Sequence, residues 1–242
     1  MWTRGQLKSN ARINMKRNYW SCVAVAFIMS ILEGAGAIGG ARNGSQSAIS
    51  EDGHSFESYH SMEIAVPAVA TAIIAIVAVL LVFGILLNIF IGNVLRIGAN
   101  KFFVRNRTEI VRTGTIFDGF RSGHYGNLVL TMFLKDLYVT LWTLVLIIPG
   151  IIKELEYMMV PYILAENPGM GQREAFEISR RMMDGEKWNA FVLQLSFIGW
   201  YLLSGVTCGI VGIFYVNPYV EATMAELYAY NKGKAFHEGY IH

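Results

Sequence analysis

Long apolar runs, separated by shorter segments that hold the charges, form the main pattern of this sequence. No charged residue lies between Ile64 and Leu95, or between Trp188 and Val220. A helix needs about 20 apolar residues to cross the hydrocarbon core of a bilayer, so the first run is long enough to be a span. The alternative, a buried helix of a soluble protein, is disfavoured because no charge interrupts so long a run. The pattern predicts an integral membrane protein.

The second uncharged run is too long for one span. As a single helix it would extend about 50 Å at roughly 1.5 Å per residue, whereas the hydrocarbon core is about 30 Å thick. Gly205 and Gly209 lie near its middle, where glycine allows the chain to turn. Two spans, at about 189–205 and 208–228, are therefore favoured, and one long span is the alternative.

Charged residues interrupt the apolar stretch from residue 128 to 165, and Pro149 and Gly150 stand between its two halves. Proline and glycine punctuate helices, so they predict the tip of a hairpin. Together the runs predict an all-α integral membrane protein, with six transmembrane helices in three hairpins that form a single polytopic domain over residues 1–242. The predicted spans lie at about 18–38, 65–95, 128–148, 151–165, 189–205 and 208–228.

Composition supports a membrane protein, and the basic residues orient it. Only 16% of the residues are charged, whereas soluble domains have about 25%. Lysine and arginine concentrate in the cytoplasmic loops of membrane proteins. With both termini in the cytoplasm, all of the 20 lysines and arginines except Arg42, Lys135 and Lys153 fall on the cytoplasmic side. The prediction is a multi-pass plasma-membrane protein, and no nucleic-acid partner is needed to explain the basic residues.

A short polar segment precedes each predicted hairpin, which indicates an internal repeat. The segments "GQLKSNARINMKRNYW" (5–20) and "GQREAFEISRRMMDGEKW" (171–188) both open with Gly-Gln and end on Trp just before a span. The segment "TIFDGFRSGHYGN" (115–127) is a looser version. Because repeats organise many membrane folds, we predict three units, each a short cytoplasmic interfacial amphipathic helix followed by a hairpin.

The first of these helices, predicted over residues 1–17, carries a stripe of basic residues beside an apolar face. Thr3 and Gln6 stand at the spacing of an N-terminal capping box. A basic stripe of this kind suits a helix that lies on the anionic membrane lipids of the inner leaflet. The alternative is that the basic residues only orient the chain in the membrane. The stripe, predicted to face lipid, consists of Arg4, Lys8, Arg12 and Lys16.

Three blocks of sequence carry a family resemblance. They are the start, "MWTRGQLKSNARINMKRNYW", the middle, "LWTLVLIIPGIIKELEYMMVPYILAENP", and "EISRRMMDGEKWNAFVLQLSFIGW" followed by "NPYVEATMAELY". From Met1 to about Tyr230, outside residues 40–64, the chain resembles a bacterial integral-membrane family known as domain of unknown function nine-seven-five. The resemblance implies a polytopic protein of the bacterial plasma membrane, and it carries over no activity and no catalytic residue.

Motifs with a recognised chemistry are missing from the sequence. It has no glycine-rich phosphate loop, no His-Glu-x-x-His, no cysteine pair at metal-binding spacing and no Gly-x-Ser-x-Gly. His54 and His60, with Glu57 between them, would share a metal only on a helix, and solvated histidines are the favoured interpretation. No catalytic residue, metal ligand or cofactor is therefore predicted.

Ionisable residues within the predicted spans are the remaining candidates, because charges in a bilayer are costly and are usually paired or functional. Counted from the predicted hairpin tip, Lys135 lies level with Glu166, and Glu221 reaches a similar depth, so these carboxylates are alternative partners. Asp136 is expected to point elsewhere on the helix. The intramembrane candidates are Glu33, Asn88, Lys135, Asp136, Lys153, Glu166 and Glu221.

Two further contacts are expected among these candidates. Glu33 and Lys153 both fall near the outer side, where they would pair. Asn88 has Gly84 and Gly92 four residues away on either side, which predicts a close helix–helix contact with a polar group available. The favoured interpretation is that the charges pair to stabilise packing or reach the membrane interfaces, and the alternative is a path for a substrate or a proton.

Function then divides into two main classes. The favoured hypothesis is a non-enzymatic scaffold, accessory or regulatory protein that interacts with lipids, with partner membrane proteins or with further copies of itself. The alternative is a small transporter or channel that uses the charges around Lys135, Asp136 and Glu221. An intramembrane enzyme comes third, since Asp136 with Glu154 or Glu156 would allow acid–base chemistry. A water-accessible path past these charges favours transport, whereas a solid bundle favours the first hypothesis.

Overall fold

The computed structural model describes residues 2–37 and 59–239, with side chains for 2–31 and 71–239. In this part of the chain every regular element is a helix, and helices make up 83% of the structure. The predicted all-α fold is confirmed. In chain order the elements are α1 (Arg4–Arg17), α2 (Tyr19–Ala37), α3 (Tyr59–Leu87), a π-helix (Asn88–Gly92), α4 (Asn93–Arg105), a 3₁₀-helix (Thr113–Phe117), α5 (Asp118–Arg121), α6 (Tyr125–Val145), α7 (Ile147–Glu156), α8 (Val160–Glu166), α9 (Gln172–Met182), α10 (Lys187–Leu195), α11 (Ile198–Val206), a second π-helix (Gly212–Val216) and α12 (Asn217–His237).

Three helical segments of the described chain are long and apolar enough to cross a membrane. They are Thr71–Arg105, Tyr125–Val145 and Lys187–Val206. A shorter apolar helix covers Tyr19–Ile31. These segments are compatible with the predicted membrane location. They are fewer than the six predicted spans, in part because the stretch predicted as the fourth span is divided between α7 and α8.

The turn between α6 and α7 lies at Leu146, whose backbone is extended (φ −157°, ψ 140°). The predicted tip at Pro149 and Gly150 is therefore wrong by about one helical turn. Pro149 stands in the first turn of α7, where its missing N–H breaks no helical hydrogen bond. Gly150 allows α7 to lie against α6, because a Cβ at this position would come within 2.2 Å of Thr143 Oγ1.

The long uncharged run after Trp188 also turns within its length. α11 ends at Val206, and Gly209 then adopts a left-handed backbone with φ 85°, which glycine reaches without strain. The chain resumes as the second π-helix and continues directly into α12. Gly205, the other glycine expected to turn the chain, remains inside α11.

A wide apolar surface is exposed on several helices. Every residue of α3 from Thr71 to Leu87 is exposed, and so are the apolar residues from Leu144 to Ile148 at the turn between α6 and α7. Soluble monomers rarely expose contiguous apolar patches larger than several hundred Å². Because lipid chains solvate such a surface at no cost, it supports the membrane assignment.

The buried core lies where α4 and α8 meet α12, and α1 packs along α12. The capping box predicted for α1 is confirmed: Gln6 N donates to Thr3 Oγ1 at 3.3 Å, and Thr3 N donates to Gln6 Oε1 at 3.2 Å. The apolar face of α1, formed by Leu7, Ala11 and Met15, is buried. Protein therefore covers the apolar face that lies beside the basic stripe.

Candidate functional site: a charged cavity between the helices

A cavity of about 370 Å³ lies between α4, α6, α7, α8, α10, α11 and α12. Its wall holds two cations, Arg96 and Lys135, and two carboxylates, Glu154 and Glu221. Charges of both signs therefore face one partly open volume. Neutral polar side chains add hydrogen-bonding capacity to the wall, namely Asn100, Tyr162, Gln194 and Tyr201.

The cavity is level with the middle of two candidate spans. Lys135 is the central residue of Tyr125–Val145, and Gln194 and Tyr201 stand on either side of the centre of Lys187–Val206. Charged groups at such a depth are costly in a bilayer and are usually functional or paired. The position of the cavity makes it the leading candidate site.

Lys135 is the most buried charge of the cavity, with 6% of its side chain exposed. Its Nζ lies 3.2 Å from Asp136 Oδ1 and 3.6 Å from Glu154 Oε1. The predicted pairing of Lys135 with Glu166 is wrong, because Glu166 Oε2 lies 2.6 Å from Lys232 Nζ and accepts a hydrogen bond from Tyr228 at 2.6 Å.

The position of the turn explains this change of partner. In an antiparallel hairpin, moving the tip back by three residues shifts the residue opposite a fixed position by about six. With the tip at Leu146, Lys135 faces the end of α7 instead of the end of α8, and Glu154 lies within about one helical turn of that level. The carboxylate opposite Lys135 is therefore Glu154.

Asp136 also differs from its prediction. It was expected to point away from Lys135, since neighbouring helical residues are about 100° apart, but the long lysine side chain reaches back to it. Its second oxygen, Oδ2, accepts a hydrogen bond from Asn93 Nδ2 at 3.2 Å. Asp136 therefore links Lys135 on α6 to the first residue of α4.

Glu221, the other predicted partner of Lys135, stands in the wall of the same cavity. The structure thus brings together Lys135, Glu221 and the sequence neighbour Asp136. Sequence reasoning assigned no site role to Arg96 or to the neutral polar residues of the wall. Arg96 lies just beyond the end of an uncharged run, and the other residues carry no charge. Neither hydropathy nor the pattern of charges therefore singles any of them out.

Lys153 has a partner other than the one predicted. Its Nζ lies 2.6 Å from Glu156 Oε2, and Lys187 Nζ lies 2.6 Å from the other oxygen of the same carboxylate. This cluster joins α7 to the start of α10, away from the charged cavity. The side chain of Glu33, the predicted partner, lies outside the described residues.

Asn88 opens the first π-helix, where α3 passes into α4. A Cβ at Gly84 would meet nothing within 4 Å, and the atoms nearest a Cβ at Gly92 belong to Asn88 itself. Among the described residues no second helix lies against Gly84, so the predicted close contact is absent there, whereas at the buried Gly92 it stays a prediction. The polar side chain instead lines a groove between α3 and α6.

Three of the seven helices around the charged cavity share short sequence patterns at their starts. The sequence Ile-Phe-x-x-Asn occurs at residues 89–93 and again at 213–217, in each case across a π-helix and into the helix that follows. π-Helical turns are rare and frequently occur at functional sites. Pro-Tyr likewise opens α8 at residues 161–162 and α12 at 218–219. This repetition is the sequence signal that could have grouped α4, α8 and α12, all of which contribute to the cavity wall.

The basic stripe of α1 lies partly against protein. Lys8 Nζ is 4.1 Å from the centre of the Phe197 ring, and Arg12 lies over the Tyr219 ring at 5.9 Å. Burial, with a smaller contribution from Arg4, lowers the pKa of Lys8 below its ordinary value. Arg4, Arg12 and Lys16 are exposed, so contact of these residues with anionic lipid remains a prediction.

Comparison with known protein families adds one finding. Residues 143–233 match the model of a family described as "Protein of unknown function (DUF975)". The resemblance predicted from the sequence is confirmed over this range. No curated protein and no solved structure was found to match the chain.

The matched range covers part of the candidate site. It contains Glu154 and Glu221, together with all the cavity residues of α7, α8, α10, α11 and α12, whereas Arg96 and Lys135 precede it. The family description assigns no activity. Any function must therefore be argued from the geometry of the cavity.

Proposed function

We propose that this protein is an integral membrane protein that binds the zwitterionic part of a small molecule in the charged cavity. The observation that carries the proposal is that two cations and two carboxylates face one volume at the level of the middle of two candidate spans. Glu154 and Glu221 would receive an ammonium group. Arg96 and Lys135 would receive a phosphate or a carboxylate, which guanidinium and ammonium groups bind by charge-assisted hydrogen bonds.

The balance of charge favours a ligand without net charge. The four ionisable side chains of the wall sum to zero formal charge, so a zwitterion leaves the cavity neutral. A singly charged ligand would leave one charge uncompensated in a medium of low dielectric constant, which is costly. This cavity supports a transport or ligand-binding role over the scaffold hypothesis, for which a solid bundle was the expected structure.

The first experiment compares ligands that carry both a positive and a negative group with ligands that carry charge of one sign. The full-length protein is purified in a neutral detergent, and its unfolding midpoint is measured with phosphatidylethanolamine, glycerophosphoethanolamine, ethanolamine and glycerol phosphate. A ligand at about 100 times its Kd stabilises a protein by about 2.7 kcal/mol, which corresponds to roughly 5–10 °C for a chain of this size. We expect such a rise with at least one of the two zwitterions and none with ethanolamine or glycerol phosphate, which carry charge of only one sign.

Variants locate this effect in the cavity. Glu221→Gln removes one carboxylate of the wall and should abolish most of the rise, whereas Glu109→Gln, which changes an exposed carboxylate paired with Arg105, should behave like the parent. Absence of any response to both zwitterions contradicts the proposal. So does a Glu221→Gln variant that responds as strongly as the parent.

For the topology, we infer six membrane crossings with both termini in the cytoplasm. They would be formed by α2, α3, α6, α7 with α8, α10 with α11, and the second π-helix with α12. The concentration of lysine and arginine in the intervening segments supports this orientation. The apolar surface of α3 and of the turn between α6 and α7 supports contact with the membrane.

Cysteine labelling on intact cells tests this orientation. Single cysteines at Ser55, in the predicted outer loop, and at Gly171, in the predicted inner segment, are compared after Cys208 has been replaced with Ala. A membrane-impermeant maleimide should modify Ser55→Cys from outside and Gly171→Cys only after the cells are opened. Labelling of both positions in intact cells would refute the six-crossing topology.

A further inference from the structure

A second cavity lies across the Lys135–Asp136 ion pair from the charged one and has the opposite character. It is a groove of about 420 Å³ between α3 and α6. Most of its wall is aliphatic or aromatic, with Leu81 and Ile85 from α3 and Phe133 and Leu137 from α6. The groove is thus suited to a hydrocarbon chain.

One polar side chain of the groove, Asp136, contacts the charged cavity. Asp136 and Asn88 are in the wall of the groove. Asp136 Oδ1 lies 3.2 Å from Lys135 Nζ, and Lys135 belongs to the wall of the charged cavity. One ion pair between consecutive residues of α6 therefore stands between an apolar groove and a polar chamber.

We propose that the ligand of the charged cavity is a zwitterionic membrane lipid, with its headgroup in that cavity and one acyl chain in the groove between α3 and α6. The proposal rests on the proposed function and adds the class of ligand. A water-soluble zwitterion has no apolar part that could occupy the groove. A lipid has a polar and an apolar part, which match the charged cavity and the groove.

The surroundings of the groove favour lipid over another occupant. The α3 residues that form one wall belong to the stretch from Thr71 to Leu87, in which every residue is exposed and none is charged. In the proposed topology this stretch is in contact with the bilayer. A lipid chain therefore enters the groove sideways from the membrane, and no aqueous route for the chain is required.

Gly84 provides a variant that fills the groove without disturbing the helix. It lies in the groove wall, and a Cβ at this position would meet no atom within 4 Å. Gly84→Leu therefore places a side chain in the space assigned to the acyl chain. Gly199→Leu is the matched control, because Gly199 is also helical, exposed and free of nearby atoms, but it belongs to α11 and lies outside the groove.

Binding of two probes to the full-length protein in neutral detergent distinguishes the possibilities. The probes are phosphatidylethanolamine and its chain-free headgroup, glycerophosphoethanolamine, with phosphatidylglycerol as the anionic comparison. We expect the parent to bind the zwitterionic lipid more tightly than the headgroup. Gly84→Leu should weaken lipid binding by about tenfold or more, since a single misfitted methylene group in an apolar pocket already costs about that much, and should leave headgroup binding unchanged.

Each other outcome overturns one specific claim. If Gly84→Leu binds the lipid like the parent while Glu221→Gln does not, the zwitterion site stands and the groove assignment is wrong. If Glu221→Gln has no effect while Gly84→Leu does, the proposed function fails. If the parent binds phosphatidylglycerol as tightly as phosphatidylethanolamine, the preference for a zwitterionic ligand is refuted. Thr140→Leu, which fills the groove from α6, repeats the test should Gly84→Leu fail to fold.

Discussion

Replacing Lys135 with methionine is expected to lower the free energy of unfolding in detergent by about 3 kcal/mol. Loss of one partner of a buried ion pair costs about 3–5 kcal/mol because the remaining charge is left without compensation. The lower end applies here, since Lys135 is buried but Asp136 and Glu154 are about half exposed. For a chain of this size the midpoint of thermal unfolding should fall by roughly 6–12 °C.

Second substitutions identify the carboxylates that depend on Lys135. Adding Glu154→Gln or Asp136→Asn should restore part of the lost stability, whereas Glu166→Gln should not, because Glu166 pairs with Lys232. Lys101→Met is the control: it breaks a partly exposed pair with Asp118 and should cost less than about 1 kcal/mol. A Lys135→Met variant as stable as the parent would show that the lysine is solvated.

Replacing Gly98 with alanine is expected to lower the free energy of unfolding at least as much as Lys135→Met does, by about 3 kcal/mol or more. A Cβ at Gly98 would lie 1.9 Å from the carbonyl oxygen of Ile116 and 2.5 Å from its carbonyl carbon. Overpacking usually costs about 1–3 kcal/mol when side chains can move aside. Here the obstacle is the backbone of the 3₁₀-helix, so α4 and that helix must separate. The unfolding midpoint and the yield of folded protein report the change.

Gly114→Ala is the matched control for this experiment. Gly114 belongs to the same 3₁₀-helix, and a Cβ there would meet nothing within 4 Å. Its midpoint should stay close to that of the parent. If Gly98→Ala unfolds at the parent's midpoint, the close contact between α4 and the 3₁₀-helix does not exist in the folded protein.

Several features of the protein follow from the sequence because they depend on neighbouring residues alone. The helical fold and apolar segments long enough to cross a membrane follow from the uncharged runs between Ile64 and Leu95 and between Trp188 and Val220. The capping box of α1 follows from the three-residue spacing of Thr3 and Gln6, which lies within one turn of helix. The family match over residues 143–233 likewise covers most of the middle block of the resemblance and all of the third, whereas the first block precedes it.

The partner of each charge in a predicted span depends on where the chain turns between two helices, and the sequence pattern locates such a turn only approximately. Proline followed by glycine is a strong turn signal, but Pro149 is compatible with the first turn of a helix, and the chain turns at Leu146 instead. That small displacement changes the residue opposite Lys135 by about six positions. Register errors of this kind double across a hairpin, so the residue opposite Lys135 moves from near Glu166 to the end of α7, within about one helical turn of Glu154.

The sequence by itself determined the helical, apolar character of the chain and identified Lys135, Asp136 and Glu221 as unusual. Only the tertiary structure decided that Arg96 and Glu154 share a cavity with Lys135 and Glu221, and that protein covers the apolar face of α1. Hydropathy and capping are set by residues within a few positions of one another. The cavity, by contrast, is formed by seven helices whose crossing angles and turns are fixed by packing between residues far apart in the chain, as the contact of Gly98 with Ile116 illustrates.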